Sequence, residues 1–542
     1  MDILFTLTYY LFLVHVARTL IFWLHLWQIK EYRLDRILVH IRETRQGRAI
    51  LFGFEPLIKL AVLVYIVVSI FYPYLYVLAP FMVFGIYAYE LCIFVRDLVQ
   101  RKVKLPIFTS KLLVIAAITV FLVFIFLILT ILDKFFWIVF VDKLIPFIVA
   151  SLMGLFSFPS IFFKDIEINK AIKIVAKNKK TNVIGITGSY GKGSTKEYMY
   201  TILSQKLQTI KTPSTLNTPI GIARTIIREL NKKVEVFIVE MGAYHRGDIA
   251  DMSNMTHPTM GVLTAVNEQH MSLFGSIENT MRAKYELIEA LPHQGIALFN
   301  GNNERTRLLY DKTRQRRKYL YYVGEKNTYN AEIYASNVVV HPTFLTFDVT
   351  IEKEKLAGLR LDLVGPHHIQ NVLPGIFFAK FFKMKPDEIV GAMEKIKPLY
   401  KTMEPYRAKN GALHIDDTYN ANPQSVLAAV EYLSHMDGKK VLILQPMIEL
   451  GKKGKEDHYT VAKEIGKVCD VLYVTNKNFL KEMKKGIYDA GNTCQIILKS
   501  PKATAHDLKT IYHEDDVIVF EGKEANAVFD LIPHEAIYHS NA

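Results

Sequence analysis

Cysteine is scarce in this chain of 542 residues, which has three: Cys92, Cys469 and Cys494. They are too few and too scattered for a disulfide framework or a cysteine-based zinc site. This scarcity excludes the disulfide-stabilised secreted domains and predicts a reducing compartment. Internal repeats and low-complexity linkers are also lacking, and the length suits about three domains.

Acidic residues are outnumbered, with 52 Asp and Glu against 66 Lys and Arg, so the formal net charge is +14. No known nucleic-acid-binding motif accompanies this charge, and we therefore predict no nucleic acid partner. We interpret the excess as charge on the cytoplasmic face of a membrane protein and as attraction to anionic lipid or substrate.

Long apolar runs are confined to the first third of the chain. Five segments approach the ~20 apolar residues that a helix needs to cross a bilayer. They are 4–28, 50–71, 75–95, 112–132 and 135–160. The first lacks a small-residue cleavage site, so we expect a retained span rather than a signal peptide. The sequence predicts an α-helical transmembrane domain over residues 1–165.

Basic residues cluster after the first, third and fifth of these segments, whereas the turns after the second and fourth are short and poor in Lys and Arg. Five spans put all three basic stretches on one side. The positive-inside rule then places the N-terminus outside and everything beyond residue 164 in the cytoplasm, where ATP is. The predicted location is the cell (inner) membrane, multi-pass, with cytoplasmic catalytic domains.

Ionisable residues lie within several of the predicted spans, and the fifth is the weakest candidate because it contains Asp142, Lys143 and Pro146. Glu55 and Lys59 are four residues apart on one helical face of the second span, and Glu90 lies in the third. Ionisable groups at membrane depth are functional candidates. The alternative is a paired, structural set near an interface, and the sequence leaves both open.

From about residue 166 onward, apolar strands alternate with helical stretches. This alternation predicts a parallel, doubly wound sheet with ligands at the carboxyl ends of the strands. A second region of the same kind starts near Gly411, and 331–363 between them is β-rich. We predict a central domain over 166–400 and a C-terminal domain over 401–542. The predicted strands are 234–240, 259–264, 295–299, 412–415, 440–444, 471–474 and 516–520.

A glycine-rich turn follows the apolar run 183–186. Glycines let the backbone bend so that its N–H groups converge on an anion, while a lysine and a helix N-terminus add positive charge. The predicted phosphate-binding residues are Gly188, Ser189, Gly191, Lys192, Gly193, Ser194 and Thr195. The match to the strict P-loop pattern is imperfect, because Ile186 stands where a glycine is expected and Gly193 where a hydroxyl is. The alternative is an ordinary tight turn between a strand and a helix.

Polar side chains follow later strands. Glu240 ends the strand after this unit, where a magnesium-binding carboxylate is expected beside a nucleotide, and His270 follows the next strand. These two are therefore placed to share a metal. In the C-terminal region, 415–423 contains two carboxylates and two amides in a strand-to-helix turn, which favours ribose or phosphate recognition across a cleft.

Short strings with distinctive residues run in order through the last two thirds of the chain. They are 187–192 with Lys196 and Glu197, Asn217, 220–221, 240–243, 246–249, His270, 274–278, 282–284, Gly365, His367, Asn371, 416–423, Ser425, 449–451 and His458. With these strings, residues 166–542 resemble the Mur ligase family, the ATP-dependent amide-bond-forming enzymes of peptidoglycan assembly. The strings 240–243 and 416–423 resemble the branch that adds D-alanyl-D-alanine to a muramoyl-tripeptide.

The resemblance implies a fold, a P-loop Mur ligase central domain with a Rossmann-like C-terminal domain, and a mechanism. ATP phosphorylates a carboxylate to an acyl phosphate, which an amine attacks. It implies that ATP and Mg²⁺ are the cofactors, and that the partners are a wall-precursor muramoyl-peptide, UDP- or lipid-linked, and D-alanyl-D-alanine or a similar amine. The implied catalytic residues are Lys192, Glu240, His270 and Lys284, the last carbamylated and, with Glu240 and His270, metal-binding. Asn300 and Asp417 correspond to adenine and ribose contacts, and Asn217, Asn420 and Asn422 to substrate contacts.

Several positions depart from the family pattern. Gly193 replaces a hydroxyl, 302–303 are asparagines where aspartates are usual, and Thr402 stands where arginine is common. Gln445 with Pro446, and Lys523, fall in regions that lie near the incoming amine in the family, which leaves the acceptor open. A membrane domain takes the place of the usual UDP-sugar-binding domain, so we expect a lipid-linked or membrane-proximal donor.

Three other interpretations compete with this one. A membrane-associated poly-γ-glutamate synthetase is a Mur-like ligase with another acceptor, but the branch-specific strings argue against it. A non-catalytic nucleotide-binding scaffold is disfavoured because Lys192, Glu240, His270 and Lys284 are all retained. A transporter fused to an ATPase is the weakest, since the motif matches are to ligases.

Overall fold

The computed structural model describes residues 2–43, 45–100, 103–128, 133–213, 216–267, 271–314, 317–352, 354–448, 450, 453–491 and 493–538. The chain divides into two compact units, Met1–Asp165 and Ile166–Ala542. Each unit is described by itself.

The first unit is helical. Its helices are α1 (Asp2–Ile29), α2 (Leu34–Glu43), α3 (Arg45–Phe52), α4 (Phe54–Phe71), a 3-10 helix (Pro73–Leu78), α5 (Ala79–Val99), α6 (Ser110–Ile128), α7 (Lys134–Leu155) and the first part of α8 (Ser157–Lys177). Five helical stretches in the described residues are long and apolar enough to cross a membrane. They are Ile3–Ile29, Gly47–Ser69, Tyr74–Val99, Ser110–Ile128 and Lys134–Leu155.

The core of this unit follows from helical periodicity. On α1, Phe12, Val16, Leu20, Trp23 and Trp27 recur every three or four residues and are buried, as expected for one face of a helix. The outward faces are apolar too, with many large exposed hydrophobic side chains. The fifth predicted segment was too long, because α7 ends at Leu155 with Phe156 as its C-cap.

The second unit contains two mixed sheets. The first has nine strands in the order β2 (Thr209–Lys211), β3 (Val236–Glu240), β1 (Asn182–Thr187), β4 (Met260–Leu263), β5 (Ile296–Asn300), β6 (Arg317–Val323), β7 (Ile333–Val340), β8 (Leu345–Ile351) and β9 (Glu354–Leu361). Pairing is parallel from β2 to β7 and antiparallel from β7 to β9.

The second sheet has seven strands in the order β14 (Gln495–Leu498), β13 (Val471–Val474), β12 (Lys440–Leu444), β15 (Val517–Glu521), β11 (Leu413–Asp417), β10 (Glu404–Ala408) and β16 (His534–Ala536). It is parallel as far as β11 and antiparallel beyond it. The predicted strands are confirmed, but a purely parallel arrangement was wrong at one edge of each sheet, where antiparallel strands extend it.

Helices cover both sheets. They are α9 (Lys192–Leu203), α10 (Pro219–Glu229), α11 (Asp248–Thr256), α12 (Met271–Phe274), α13 (Ile277–Glu289), α14 (Glu304–Lys312), α15 (His367–Phe381), α16 (Pro386–Met393), α17 (Pro423–Ser434), α18 (Gly454–Val468), α19 (Leu480–Asp489), α20 (Pro501–Thr510) and α21 (Asn526–Phe529). Because helices cover both faces, the parallel strands are buried along their length and read as continuous apolar runs. The carboxyl ends of β1, β3, β4 and β5 therefore meet at one edge, where the candidate site lies.

Candidate functional site

The glycine-rich turn joins β1 to α9. Gly188 has φ of +153°, and a Cβ there would lie 2.0 Å from Thr264 Oγ1, at the end of β4. The N–H of Ser189 donates to the Ala265 carbonyl at 2.7 Å. The turn therefore lies directly against the end of the neighbouring strand, which only glycine at 188 permits.

Gly191 and Gly193 differ in what they require. Gly191 is the N-cap of α9 with φ of +79°, and a Cβ there would lie 2.6 Å from Asn371 Oδ1. A Cβ at Gly193 would meet nothing closer than Glu240 Oε2, at 3.7 Å. The space thus admits a side chain at 193, and the missing hydroxyl is not a consequence of crowding.

Lys192 begins α9 and folds back over the turn. Its Nζ donates to the carbonyl of Gly188 at 2.7 Å. Burial lowers the pKa of the ammonium, and the negative charge of Glu240 opposes that shift. With the free N–H groups at the start of α9, the ammonium makes this end of the sheet an electropositive, anion-binding corner.

Glu240 ends β3 beside the turn and is held by two side chains. Asn217 Nδ2 donates to Oε1 at 3.0 Å, and Lys196 Nζ donates to Oε2 at 3.1 Å. Lys196 is 1% exposed and also lies 3.4 Å from Glu197. The sequence placed Lys196 in a string but assigned it no role; its position one helical turn after Lys192 was the available signal.

Lys284 lies on α13 and is buried, with its Nζ 5.7 Å from the centre of the Phe274 ring. Burial, followed by the positive charge of Lys192, lowers its pKa to about 7. At neutral pH a large share of this amine is uncharged, and an uncharged amine is the form that reacts with carbon dioxide.

His270 lies outside the described residues. Within the described ranges, no group of three or more His, Cys, Asp and Glu side chains forms a ready metal cage. Magnesium in nucleotide sites is commonly held by one or two carboxylates together with substrate phosphates and water. Glu240 beside the anion-binding corner fits that pattern.

Asn300 ends β5, two strands along the sheet from β1. Its Nδ2 donates to the Thr264 carbonyl at 2.7 Å and to Gln370 Oε1 at 3.1 Å. Asn371 follows on α15, and its Oδ1 accepts from Thr195 Oγ1 at 3.5 Å. The structure thus brings the first turn of α15 to the predicted adenine contact, and Gln370 was not found from sequence.

Asp417 ends β11 in the second sheet. Its carboxylate accepts from the Met403 N–H at 3.3 Å and lies against Glu521, which ends β15 and accepts from Ser425 Oγ at 2.6 Å. Burial raises the pKa of Asp417 to about 6, although its hydrogen bond with Glu521 opposes that shift. Burial also raises the pKa of Glu521 well above its usual range, and the charge of Asp417 adds to that shift. The two form a buried pair that holds a proton, and sequence reasoning did not find Glu521.

The two predicted amide contacts after β11 have different surroundings. Asn422 is the N-cap of α17 and accepts from the N–H groups of Gln424 and Ser425 at 3.0 and 3.1 Å. Asn420 is exposed. Between them and the strand, Tyr419 is 51% exposed, and its partial burial together with the charge of Glu240 raises its pKa.

The fold and the site together define a two-sheet α/β protein with polar side chains gathered at the carboxyl ends of parallel strands. Two family models match it: the Mur ligase middle domain over residues 186–379, and the Mur ligase glutamate ligase domain over residues 403–524. The matched ranges together cover more than half of the chain, which belongs to the Mur ligase family. The helical unit 1–165 lies outside both matches.

Curated relatives carry the name UDP-N-acetylmuramoyl-tripeptide–D-alanyl-D-alanine ligase. The Escherichia coli K12 protein is 30% identical over 53% of this chain and 63% of its own length. The Bacillus subtilis 168 protein is 28% identical over 53% of this chain and 60% of its own. The chain thus spans about three fifths of the length of these relatives.

Solved structures agree on the fold. MurF from Acinetobacter baumannii superposes with a TM-score of 0.61 at 23% identity, covering 68% of this chain and 80% of that one. The MurF ligase from Thermotoga maritima in complex with ADP gives 0.59 at 25% identity, covering 68% and 83%.

Proposed function

We propose that this protein is an ATP-dependent peptide ligase of cell-wall precursor synthesis that adds D-alanyl-D-alanine to a muramoyl-tripeptide. The observation that carries the proposal is that Lys192 folds back over the turn after β1 with Glu240 beside that turn, while the charge of Lys192 reaches the buried amine of Lys284. Relatives bearing that activity in their names support the choice of substrates.

The reaction proceeds in two balanced steps. A carboxylate oxygen of the tripeptide attacks the γ-phosphorus of ATP, the bond to the β-phosphate oxygen breaks, and ADP leaves. The amine of the dipeptide then attacks the acyl carbon, loses a proton, and expels inorganic phosphate as the amide forms. The first step brings a carboxylate up to the anionic triphosphate, and the second brings an amine up to an acyl phosphate. The protein must therefore supply positive charge near the phosphates.

Residues of the glycine-rich turn supply that charge. The N–H groups from Gly188 to Thr195 and the ammonium of Lys192 bind the phosphates. Asn300 orients the adenine and Asp417 the ribose, while Asn217, Asn420 and Asn422 serve substrate binding. In this scheme Ser194 or Thr195 offers the hydroxyl that Gly193 lacks.

Magnesium, when bound, neutralises the phosphate charge. Glu240 and His270 would hold it, with Lys284 contributing as a carbamate. In carbamylation the neutral amine attacks carbon dioxide and releases one proton, which converts a cationic side chain into an anionic metal ligand. The lowered pKa of Lys284 supports this assignment.

We infer that the first unit is a transmembrane domain with its N-terminus outside and the ligase unit in the cytoplasm. The five long apolar helices and the basic stretches that follow the first, third and fifth of them support this. The placement favours a lipid-linked or membrane-proximal donor over a freely diffusing UDP-linked one.

The test is phosphate release from ATP by the solubilised full-length protein, with tripeptide donor and D-alanyl-D-alanine added separately and together. Release only with both, and a product heavier by the dipeptide, is the expected result, with Lys192→Met as the inactive control. A UDP-linked donor outperforming its lipid-linked form would contradict the membrane-donor proposal alone. If no donor and amine give phosphate release, the result would favour a non-catalytic nucleotide-binding scaffold.

A further inference from the structure

Four ionisable side chains meet inside the first unit, each from a different helix. They are His15 on α1, Lys59 on α4, Glu90 on α5 and Asp142 on α7. Lys59, Glu90 and Asp142 are 4%, 2% and 5% exposed, and the His15 side chain is 9% exposed. Two of the four, Lys59 and Glu90, were singled out from sequence, and they are 31 positions apart in the chain.

The four groups form a closed ring of alternating charge. Lys59 Nζ lies 2.7 Å from Glu90 Oε1 and donates to Asp142 Oδ2 at 2.6 Å. Across the ring, His15 Nε2 lies 2.9 Å from Asp142 Oδ1 and 3.2 Å from Lys59 Nζ. His15 Nδ1 lies 2.7 Å from Glu90 Oε2, an ion-pair contact whose angle is not that of a hydrogen bond. Each carboxylate thus meets one cation at each oxygen.

Neighbouring polar groups surround the ring without replacing any member. Thr19 Oγ1 lies 2.9 Å from His15 Nε2, and the Tyr87 hydroxyl donates to Asp142 Oδ2 at 3.4 Å. Arg18 donates to the backbone carbonyl of Glu90 at 3.4 Å and lies 3.8 Å from Asp97. On α7, Lys143 donates to the carbonyl of Pro56 at 3.2 Å.

This geometry favours the protonated form of His15, because each ring nitrogen faces a carboxylate oxygen, although the Lys59 ammonium also lies 3.2 Å from Nε2. A neutral imidazole has one unprotonated nitrogen, which would face a carboxylate oxygen, lone pair to lone pair, at 2.7 or 2.9 Å. It would also leave the ring with one uncompensated negative charge in a buried setting, which is costly. With an imidazolium, two positive and two negative charges balance.

We propose that His15, Lys59, Glu90 and Asp142 form an ionic lock that assembles α1, α4, α5 and α7, with the proton on His15 as its fourth charge. Each member alone is expensive in an apolar helix, and it becomes tolerable once the other three are in place. The lock thus selects one packing of the four helices. It does not depend on the ligase reaction.

Tryptophan fluorescence isolates this unit, because all three tryptophans, Trp23, Trp27 and Trp137, lie on α1 and α7. The experiment melts the full-length protein in lipid nanodiscs. Asp142→Asn and His15→Gln are each expected to lower the melting temperature by roughly 10 °C, since each leaves one unpaired buried charge. The double variant leaves Lys59 and Glu90 balanced and should recover much of the loss. Glu55→Gln, one helical turn before Lys59, is the matched control and should change little.

Two results would overturn the proposal. If His15 is neutral, Asp142→Asn balances the charge, and the melting temperature stays the same or rises. If the fall in melting temperature of the double variant equals the sum of the falls in the two single variants, the four side chains are not a coupled unit. Should a single variant fail to accumulate, the same comparison is made on the amount of folded protein recovered from membranes, where the double variant must exceed the single ones.

Discussion

At the scale of single residues, Gly188 and Gly193 differ in whether the surrounding structure leaves room for a side chain. A Cβ at Gly188 overlaps Thr264, whereas one at Gly193 has room beside Glu240. We expect Gly188→Ala to abolish ATP binding and to destabilise the second unit by more than about 1 kcal/mol. Gly193→Ser should keep both. Calorimetric ATP titration with thermal melting measures the contrast, and equal losses in the two variants would contradict it.

Lys284 carries a second prediction at this scale. Only its neutral form attacks carbon dioxide, and its pKa is lowered to about 7. The carbamate signal from ¹³C-bicarbonate should therefore grow as pH rises through about 7 and fade below it. Lys192→Met removes the positive charge that helps to lower the Lys284 pKa, so the midpoint should move to higher pH. Lys284→Arg should show no signal, and a signal that persists there would disprove the assignment.

At the scale of elements, the start of α17 separates two roles for Asn422. Its side chain caps the helix by accepting two N–H groups, and the sequence proposes a substrate contact. Asn422→Ala should cost about 1 kcal/mol of stability. Asn422→Ser keeps the cap but loses the amide. Unchanged activity in the serine variant indicates a cap alone, and lost activity with retained stability indicates a substrate contact.

Most helices and strands were predictable from the sequence, whereas the edge strands of the sheets and the end of α7 were not. Buried parallel strands such as β12 and β13 are short apolar runs that any reading of the sequence finds. The antiparallel strands β8, β9, β10 and β16 extend the sheets through pairing partners that local sequence does not name. The end of α7 was misplaced for a related reason, since apolar composition continues past its C-cap at Phe156.

At the scale of the whole molecule, the division at residue 165 predicts two separable units. The segment 166–542 keeps its own cores, including Ala171 and Val175 of α8 packed with the strands. Expressed alone, it should be recovered without detergent and bind ADP as the full chain does, while the full chain stays with membranes. Fractionation and ADP titration measure this, and a detergent-free full chain would contradict the transmembrane proposal.

The sequence by itself determined the family, the order of the elements and the residues of the glycine-rich turn, because these depend on short motifs and local backbone demands. Only the tertiary structure decided which side chains contact one another. Lys196 meets Glu240 across 44 positions, and His15 meets Asp142 across 127. Such pairs arise from sheet register and helix packing, which depend on the whole chain closing at once, so no local pattern specifies them.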